Sequence, residues 1–464
     1  MTSDLAMLSA TALLEGYRRK SFSPSEVMAA ITARLERLEE QLNAFCYLDL
    51  ESARMQAAAS SERWAKGAPS GPLDGVPATV KDVMLSKGWP TLRGSKAVDP
   101  DQPWEEDAPA VTRMREAGAI LFGKTTTPEW GWKGVTDSPL TGITRNPWNT
   151  ARTPGGSSGG AAAAAAAGLG PLHFGTDGGG SIRIPAGFTG VFGHKPSFGR
   201  VPAYPSSPFG TVAHIGPMSR TVADSALMLN TISEPDARDW YALPHDALDY
   251  RAELGGSLAG LRVAFSPTLG GHKVDPEIAQ LVEAAAKRFE DLGAVVESAE
   301  PDLPDCGPIF RILWFAGAAH MLEAYSDEQK AVMDPGFLRI AAEGAQASLF
   351  DYLAAMRARE SVGRTLSLFH QTYDLLLTPT LPLPAFEAGL EAPPGDSAWV
   401  DWTPFSYPFN LTQQPAASVP CGLVAEGLPA GLQIVGRRYD DRLVLKAAHA
   451  YEQLVGGFAM PDLG

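Results

Sequence analysis

Cysteine is scarce in this chain. Cys46, Cys306 and Cys421 are the only three in 464 residues, and none has a C-x-x-C or histidine-paired spacing. That argues against a disulfide framework and a zinc site, and it points to a reducing, cytoplasmic compartment. No metal or cofactor is expected. Long apolar runs are missing too: none approaches the ~20 residues of a membrane span. The start, MTSDLAML, has neither the basic region nor the apolar core of a secretory signal. Positive charge is in deficit, with 38 basic against 53 acidic residues and a net charge of −15. A nucleic-acid or anionic-membrane partner is therefore not expected, since either wants a basic face. The eight histidines are scattered and read as hydrogen-bonded or surface residues.

What the chain does have is glycine, concentrated where it matters. From Thr153 to Pro196 it reads TPGGSSGGAAAAAAAGLGPLHFGTDGGGSIRIPAGFTGVFGHKP, with ten glycines between Gly155 and Ser181 and three serines, Ser157, Ser158 and Ser181. Glycine lets backbone N–H groups converge and lets a ligand approach the main chain. A cluster of such donors beside a hydroxyl is what acyl transfer requires. A close-packed Gly/Ala segment without chemistry is the bland alternative. Three chemical readings compete. GGSSG fits the nucleophile-elbow pattern with Ser157 as nucleophile, but Arg152, Thr153 and Pro154 make a poor preceding strand. A phosphate loop lacks its G-K-[ST]. The third reading puts the nucleophile at Ser181, with Gly178, Gly179 and Gly180 as N–H donors just ahead of it.

This stretch closely resembles the amidase signature family: a GGSSGG block, an Ala/Gly-rich helix, a G-T-D-x-G-G-S-I-R-x-P-A segment, and G-x-x-G-x-K-P-S-x-G-R over Gly190 to Arg200. The resemblance implies an α/β fold, with a mixed central β-sheet flanked by α-helices on both faces. It implies a Ser–cis-Ser–Lys triad: Ser181 as nucleophile, Ser157 as the bridging serine in a cis peptide, and Lys81 as base. The two serines stand 24 residues apart, the family's spacing. The oxyanion hole falls to Gly178, Gly179 and Gly180. Asp177 and Arg183 are read as an ion pair holding the glycine turn. Lys195, in the family's K-P motif, is read as structural and is the main rival to Lys81.

The chemistry also stands on its own. A serine needs a base, and a lysine serves if its neutral form is favoured. Moving a lysine from about 10.4 to about 7–8 takes roughly 4 kcal/mol, within reach of a buried site. Lys81 lies in GPLDGVPATVKDVML, a turn followed by an apolar strand-like run, where an ammonium is poorly solvated. The rival picture is a lysine at a strand end that snorkels to water.

Along the chain, Leu5 to Arg19 predicts an amphipathic helix, and Ser23-Pro24-Ser25-Glu26 a capping box opening a helix to about Glu40. A strand at 44–48, a helix at 50–66, the Lys81 strand, a helix at 108–117 and a strand at 119–122 follow. The segment Thr127 to Asn149 carries Trp130 and Trp132, which either wall a pocket or pack. Seven alanines, Ala161 to Ala167, predict a helix lying very close to a sheet and ended by Gly168. Beyond Thr221 come a strand–helix–strand unit (261–297), long helices (304–330 and 349–373), a buried strand at 375–380, two strands at 417–423 and 430–436, and a final helix from 440 to about 455.

The length allows about three domains, but nothing in the composition marks a clean linker. The resemblance implies one domain over 1–464: N-terminal helices (1–70), a signature core (71–225), a divergent region at about 235–400 that encodes substrate choice, and a return to the core (401–464). The expected activity is hydrolysis of a carboxylic amide to acid and ammonia or amine through an acyl-enzyme, on a small-molecule substrate. A homodimer is compatible with the sequence. The alternative within the family is the glutaminase subunit of a tRNA-dependent amidotransferase. That subunit typically has a polar residue where this chain has Ile184 and leucine where it has His194; both departures, with the acidic charge, favour the stand-alone enzyme. A scaffold protein with a decayed site is the third class, disfavoured by the intact Lys81, Ser157 and Ser181. Ile184 and the aromatic segment suggest an apolar or aryl acyl group.

Overall fold

Eleven strands of this chain join in one mixed sheet. The computed structural model describes residues 4–245 and 247–463; Met1–Ser3, part of the start read as leaderless, lie outside them. In chain order the strands are β1 (Phe45–Leu48), β2 (Pro77–Lys81), β3 (Ile120–Thr125), β4 (Leu172–Asp177), β5 (Phe192–Lys195), β6 (His214–Ser219), β7 (Arg262–Phe265), β8 (Val295–Ser298), β9 (Leu375–Pro379), β10 (Ala416–Leu423) and β11 (Pro429–Gly436). Across the sheet the order is β1-β3-β2-β4-β6-β5-β10-β11-β9-β7-β8. Strand β2 runs parallel to both neighbours, β3 and β4, and all five of its residues are buried. Parallel strands flanked by helices are covered on both faces, which explains the apolar run leading to Lys81. The expected α/β architecture, a mixed sheet flanked by helices, is what the structure has.

The alanine run forms a helix, Gly159–Ala166, with every residue buried. Ala163, Ala164 and Ala167 pack with Ile120 and Phe122 of β3, while Ala161, Ala162, Ala165 and Ala166 pack with Ile182, Ala186 and Met218. Only a methyl fits on every side, so the repeat is a packing requirement rather than low complexity. Gly168 ends the segment at φ +69°, as the sequence suggests.

Local signals hold elsewhere. Ser23 and Glu26 form the capping box of the helix Pro24–Leu42. The unit at 262–298 is a β–α–β step, in which the helix Pro276–Asp291 links the parallel strands β7 and β8. Strands β10 and β11 pair antiparallel. The first helix is broken: a 3-10 turn, Leu5–Met7, precedes a helix Ala10–Arg19 capped by Ser9. The buried Asp224 carboxylate accepts the Ala10 and Thr11 amides at 2.8 and 3.0 Å and so fixes the second start. The long stretch at 304–330 also divides, into Gly307–Leu322 and Asp327–Lys330. Periodicity missed β4, β5 and β6, whose glycines, prolines and polar residues hide a strand pattern. Cys46, Cys306 and Cys421 are free. Among the described residues no helix is long and apolar enough to cross a membrane.

Replacing Ala163 by leucine should destabilise the fold by about 1–3 kcal/mol or more through overpacking. A fall in the chemical-denaturation midpoint at unchanged slope is the expected readout; an unchanged midpoint would mean that the helix can move away from the sheet.

Candidate active site

Strand ends and one helix start build this site. Lys81 is the last residue of β2, and the adjacent parallel strand β4 ends in Thr176 and Asp177. Side chains outside the carboxyl ends of parallel strands meet in a crevice. Into it the buried alanine helix delivers Ser157 and Ser158 from its N-terminal end. The peptide bond between Gly156 and Ser157 is cis. A side chain at Gly156 would put its Cβ 2.4 Å from the Val135 carbonyl oxygen, so the chain can pass here only as glycine.

The Lys81 side chain is fully buried, not snorkelling. Its Nζ lies 2.7 Å from Ser157 Oγ, 2.9 Å from Ser158 Oγ and 2.8 Å from Thr176 Oγ1. Burial holds its pKa well below the ordinary lysine value, and the Asp177 carboxylate opposes this only in part. Three hydroxyls and no carboxylate touch the amine, so a proton on it is poorly compensated. Ser158 is further constrained: its hydroxyl donates to Thr176 O at 3.2 Å and accepts from the Thr176 N–H at 3.2 Å. Ser158 Oγ can therefore only accept from the amine. Neither Ser158 nor Thr176 was given a role from sequence; the serine doublet and the T-D step were the available signals.

Ser181 follows the glycine turn after β4 and is 5% exposed. Its carbonyl accepts the Ser158 N–H at 3.1 Å, which ties the two serine segments together. Its hydroxyl has no hydrogen-bond partner among the described residues. The Gly180 N–H, however, donates to Asp177 Oδ1 at 2.8 Å. Of the three glycine amides read as oxyanion donors, this one is already engaged.

Asp177 and Arg183 form a fully buried pair. Arg183 Nε and Nη2 each reach an Asp177 oxygen at 2.9 Å, and Nη2 also reaches Asn410 Oδ1 at 2.6 Å. Its Nη1 donates to Ser406 O and Gln433 Oε1, both at 2.8 Å. All five guanidinium donors are thus used on protein atoms. Burial alone would raise the Asp177 pKa; the Arg183 charge and hydrogen bonds override this and hold the carboxyl far below its usual range. Asn410 and Gln433 were not foreseen. Gln433, a lone polar residue in the apolar AGLQIVG strand, was the one visible signal.

Lys195 is also fully buried, and burial with the nearby Arg183 charge lowers its pKa to about 7. Its Nζ donates to the carbonyls of Gln414 and Pro196, and neither serine is among its partners. His194 Nε2 donates to Asp441 Oδ1 at 3.2 Å in the interior.

The serines open onto a cavity of about 1190 Å³, lined also by Trp130, Phe198, Phe209, Tyr241, Trp314 and Tyr325. Trp314, Met321 and Tyr325 come from the region 307–325, outside the glycine- and serine-rich core segment. The two sequence-flagged tryptophans separate: Trp130 lines the cavity, and Trp132 is fully buried packing against Phe337. Ile184 is fully buried and is not part of the lining, so it has no direct say in acyl choice.

A mixed eleven-stranded sheet flanked by helices makes this an α/β protein, with buried serines and a lysine gathered beside the ends of its parallel strands. A family model described as Amidase matches residues 26–445, and the chain belongs to that family. The chain is 38% identical over 458 residues to Acylamidase from Rhodococcus erythropolis, covering 97% of this chain and 96% of the relative. It is 35% identical to the A subunit of Glutamyl-tRNA(Gln) amidotransferase from Roseiflexus sp. (strain RS-1), covering 97% of each. Among solved structures, a bacterial aryl acylamidase of the amidase signature enzymes superposes with a TM-score of 0.90 at 32% identity, over 96% of each chain.

Arg183→Ala should cost about 3–5 kcal/mol of unfolding free energy, because it leaves a buried carboxylate unpaired. Since the folded pKa of Asp177 is depressed, the pair's contribution is complete above about pH 4 and lost as the pH falls below that. The difference between Arg183→Ala and the parent should accordingly shrink in acid denaturation series.

Proposed function

We propose that this chain is a stand-alone amidase that cleaves a carboxylic amide of a small molecule through an acyl-enzyme on Ser181. The observation that carries the reading is the buried Lys81 amine 2.7 Å from Ser157 Oγ, beside a cavity that also exposes Ser181. Ser158 Oγ, its own proton given to Thr176 O, takes one N–H of the neutral amine. The amine lone pair is then free to receive the Ser157 proton. As it does, Ser157 Oγ takes the proton of Ser181, whose oxygen attacks the amide carbon. Two proton shifts replace a single serine–histidine transfer. The negative charge that develops on the substrate oxygen is met by the N–H groups of Gly178, Gly179 and Ser181 itself, because Gly180 is held by Asp177. On collapse the C–N bond breaks, and the proton stored on Lys81 returns through Ser157 to the leaving nitrogen. Water then attacks the acyl-enzyme by the same relay, releasing the acid and restoring Ser181. Asp177, Arg183, Asn410 and Gln433 position the glycine turn and do not touch substrate.

The aromatic lining supports an aryl or other apolar substituent on the amide, as do the likenesses to acylamidases. The likeness to the amidotransferase component keeps the glutaminase reading in play. His194, internal and bonded to Asp441, and the apolar cavity weigh toward the independent enzyme, acting in the cytoplasm without a cofactor. Release of aniline or ammonia from simple aryl amides by the purified chain alone is the test. Activity only on glutamine, and only with added partner proteins, would establish the alternative.

Ser181→Ala and Lys81→Ala should each lower kcat by at least about 10³-fold, Ser157→Ala severely, and the effects should not add. Lys195→Ala should leave a measurable chemical step; complete loss there with Lys81→Ala active would give the base role to Lys195. Because the depressed Lys81 must be neutral to act, kcat/KM should rise with pH through a single inflection well below the free-lysine value of about 10.4. A flat profile, or an inflection retained in Lys81→Ala, would remove the lysine from the mechanism.

A further inference from the structure

Most charged side chains that line the cavity are already matched. Arg238 grips Asp236 through Nε and Nη2 at 3.0 and 2.8 Å. The Asp239 carboxylate accepts the Ala203 and Tyr241 amides, both at 2.9 Å, and Glu323 faces His320 at 3.2 Å. Arg93 is the exception. Its Nη1 makes one long bond, 3.3 Å to the Thr91 carbonyl. Its Nε and Nη2 have no hydrogen-bond or ion-pair partner among the described residues, and unlike the unpaired nitrogens of the interior they remain open to solvent. Asp82, the carboxylate whose charge it feels, is committed to Lys124 at 3.1 Å. Burial outweighs the pulls of Tyr325 and Asp82 and lowers the Arg93 pKa. A cation is thus held in poorly solvating surroundings without a counter-charge against it.

The guanidinium stands among cavity-wall rings, close to the serines. Its Cζ lies 4.8 Å from the centroid of Trp130, and Tyr325 packs edge-on against the same ring at 6.0 Å. Burial raises the Tyr325 phenol's pKa, against a smaller pull from Arg93, so its hydroxyl stays a donor. The main chain fixes this corner. The Trp130 N–H donates to Arg93 O at 2.7 Å, and the Gly94 N–H donates to Asp82 Oδ2 at 3.2 Å. Arg93 and Trp130 both hold left-handed backbone, φ +57° and +56°, which residues with side chains seldom adopt. Gly131 comes next, and a Cβ built on it would stand 3.1 Å from Ser157 Oγ. Trp130, Gly131, Tyr325 and Arg93 line the same cavity as Ser157 and Ser181.

The open edge is also the one that other arginines here use on acids. Arg183 holds Asp177 through Nε and Nη2 at 2.9 Å each, and Arg63 holds Asp74 through the same two atoms at 2.9 and 2.6 Å. That planar fork matches the two oxygens of a carboxylate. We infer that Arg93 is a specificity-determining residue whose Nε and Nη2 bind a carboxylate of the substrate beside the Trp130 ring. The inference rests on the amidase reading and narrows it: the preferred substrates are amides that join an apolar body to a carboxylate away from the scissile bond.

The test uses two matched pairs of anilides. In one pair the acyl chain ends in a carboxylate or in the isosteric carboxamide; in the other the aniline ring bears carboxymethyl or carbamoylmethyl. The pair that responds tells which side of the amide faces Arg93. In the native enzyme, kcat/KM for release of the aniline should favour the carboxylate by about tenfold or more in one pair. Arg93→Met, which keeps an apolar stem on Trp130, should bring that ratio to within about twofold of unity. Arg93→Lys, which keeps the charge and gives up the fork, should retain part of it; ratios taken within one variant cancel any general loss of activity. The same compounds are then titrated calorimetrically into Ser181→Ala with and without Arg93→Met. No carboxylate preference in the native protein, or one that survives Arg93→Met in turnover and in binding, would overturn the assignment. An Arg93-dependent binding preference without amine release from the native protein would overturn the amidase reading and leave the carboxylate site standing.

Discussion

The structure depends on keeping one amine dry. Lys81 sits at the end of a strand with parallel neighbours on both sides, and it meets three hydroxyls instead of a carboxylate. A carboxylate there would stabilise the ammonium and remove the proposed base. The nearest acid on the adjacent strand, Asp177, is instead occupied by Arg183, whose donors are all spent on protein atoms. Pairing with Arg183 offsets the Asp177 charge, which opposes the lowering of the Lys81 pKa only in part, and holds the glycine turn in shape. The helix start beside Lys81 acts in the same sense, because the positive end of a helix dipole disfavours a cation.

Close packing supplies the precision this needs. Ser157 and Ser158 reach the amine because their helix has no side chain larger than a methyl and lies against β3 and the Ile182–Ala186 segment. Asn410 and Gln433 brace the same ion pair from the other end of the chain, more than 220 positions away. The cavity wall, by contrast, draws on the helix Gly307–Leu322 and the residues just after it through Trp314, Met321 and Tyr325. Rigid core elements hold the proposed chemistry, and peripheral helices and loops shape what reaches it.

Two lysines show how far one-dimensional reading goes. Lys81 and Lys195 are both fully buried, and both have lowered pKa values. Burial alone does not choose between them. Their contacts differ: the first touches hydroxyls of both Ser157 and Ser158, the second only main-chain carbonyls, which supports the proposed role for Lys81. Gly180 teaches a similar lesson. Its sequence context suits an oxyanion donor, yet its N–H is claimed by Asp177. Ile184 looks like a specificity residue three positions after Ser181 and proves to be interior packing.

The sequence by itself determined the family, the capping boxes, the β–α–β unit, the alanine helix and the set of residues from which a site must be drawn. These are readable because they follow from local periodicity, capping chemistry and fixed motif spacing. Only the tertiary structure decided which hydroxyls surround Lys81, which glycine amide is spent and what braces Arg183. Each of those is set by an atom from a distant part of the chain, and hydrogen bonding and desolvation respond to distances of a few ångströms that no spacing along a sequence encodes.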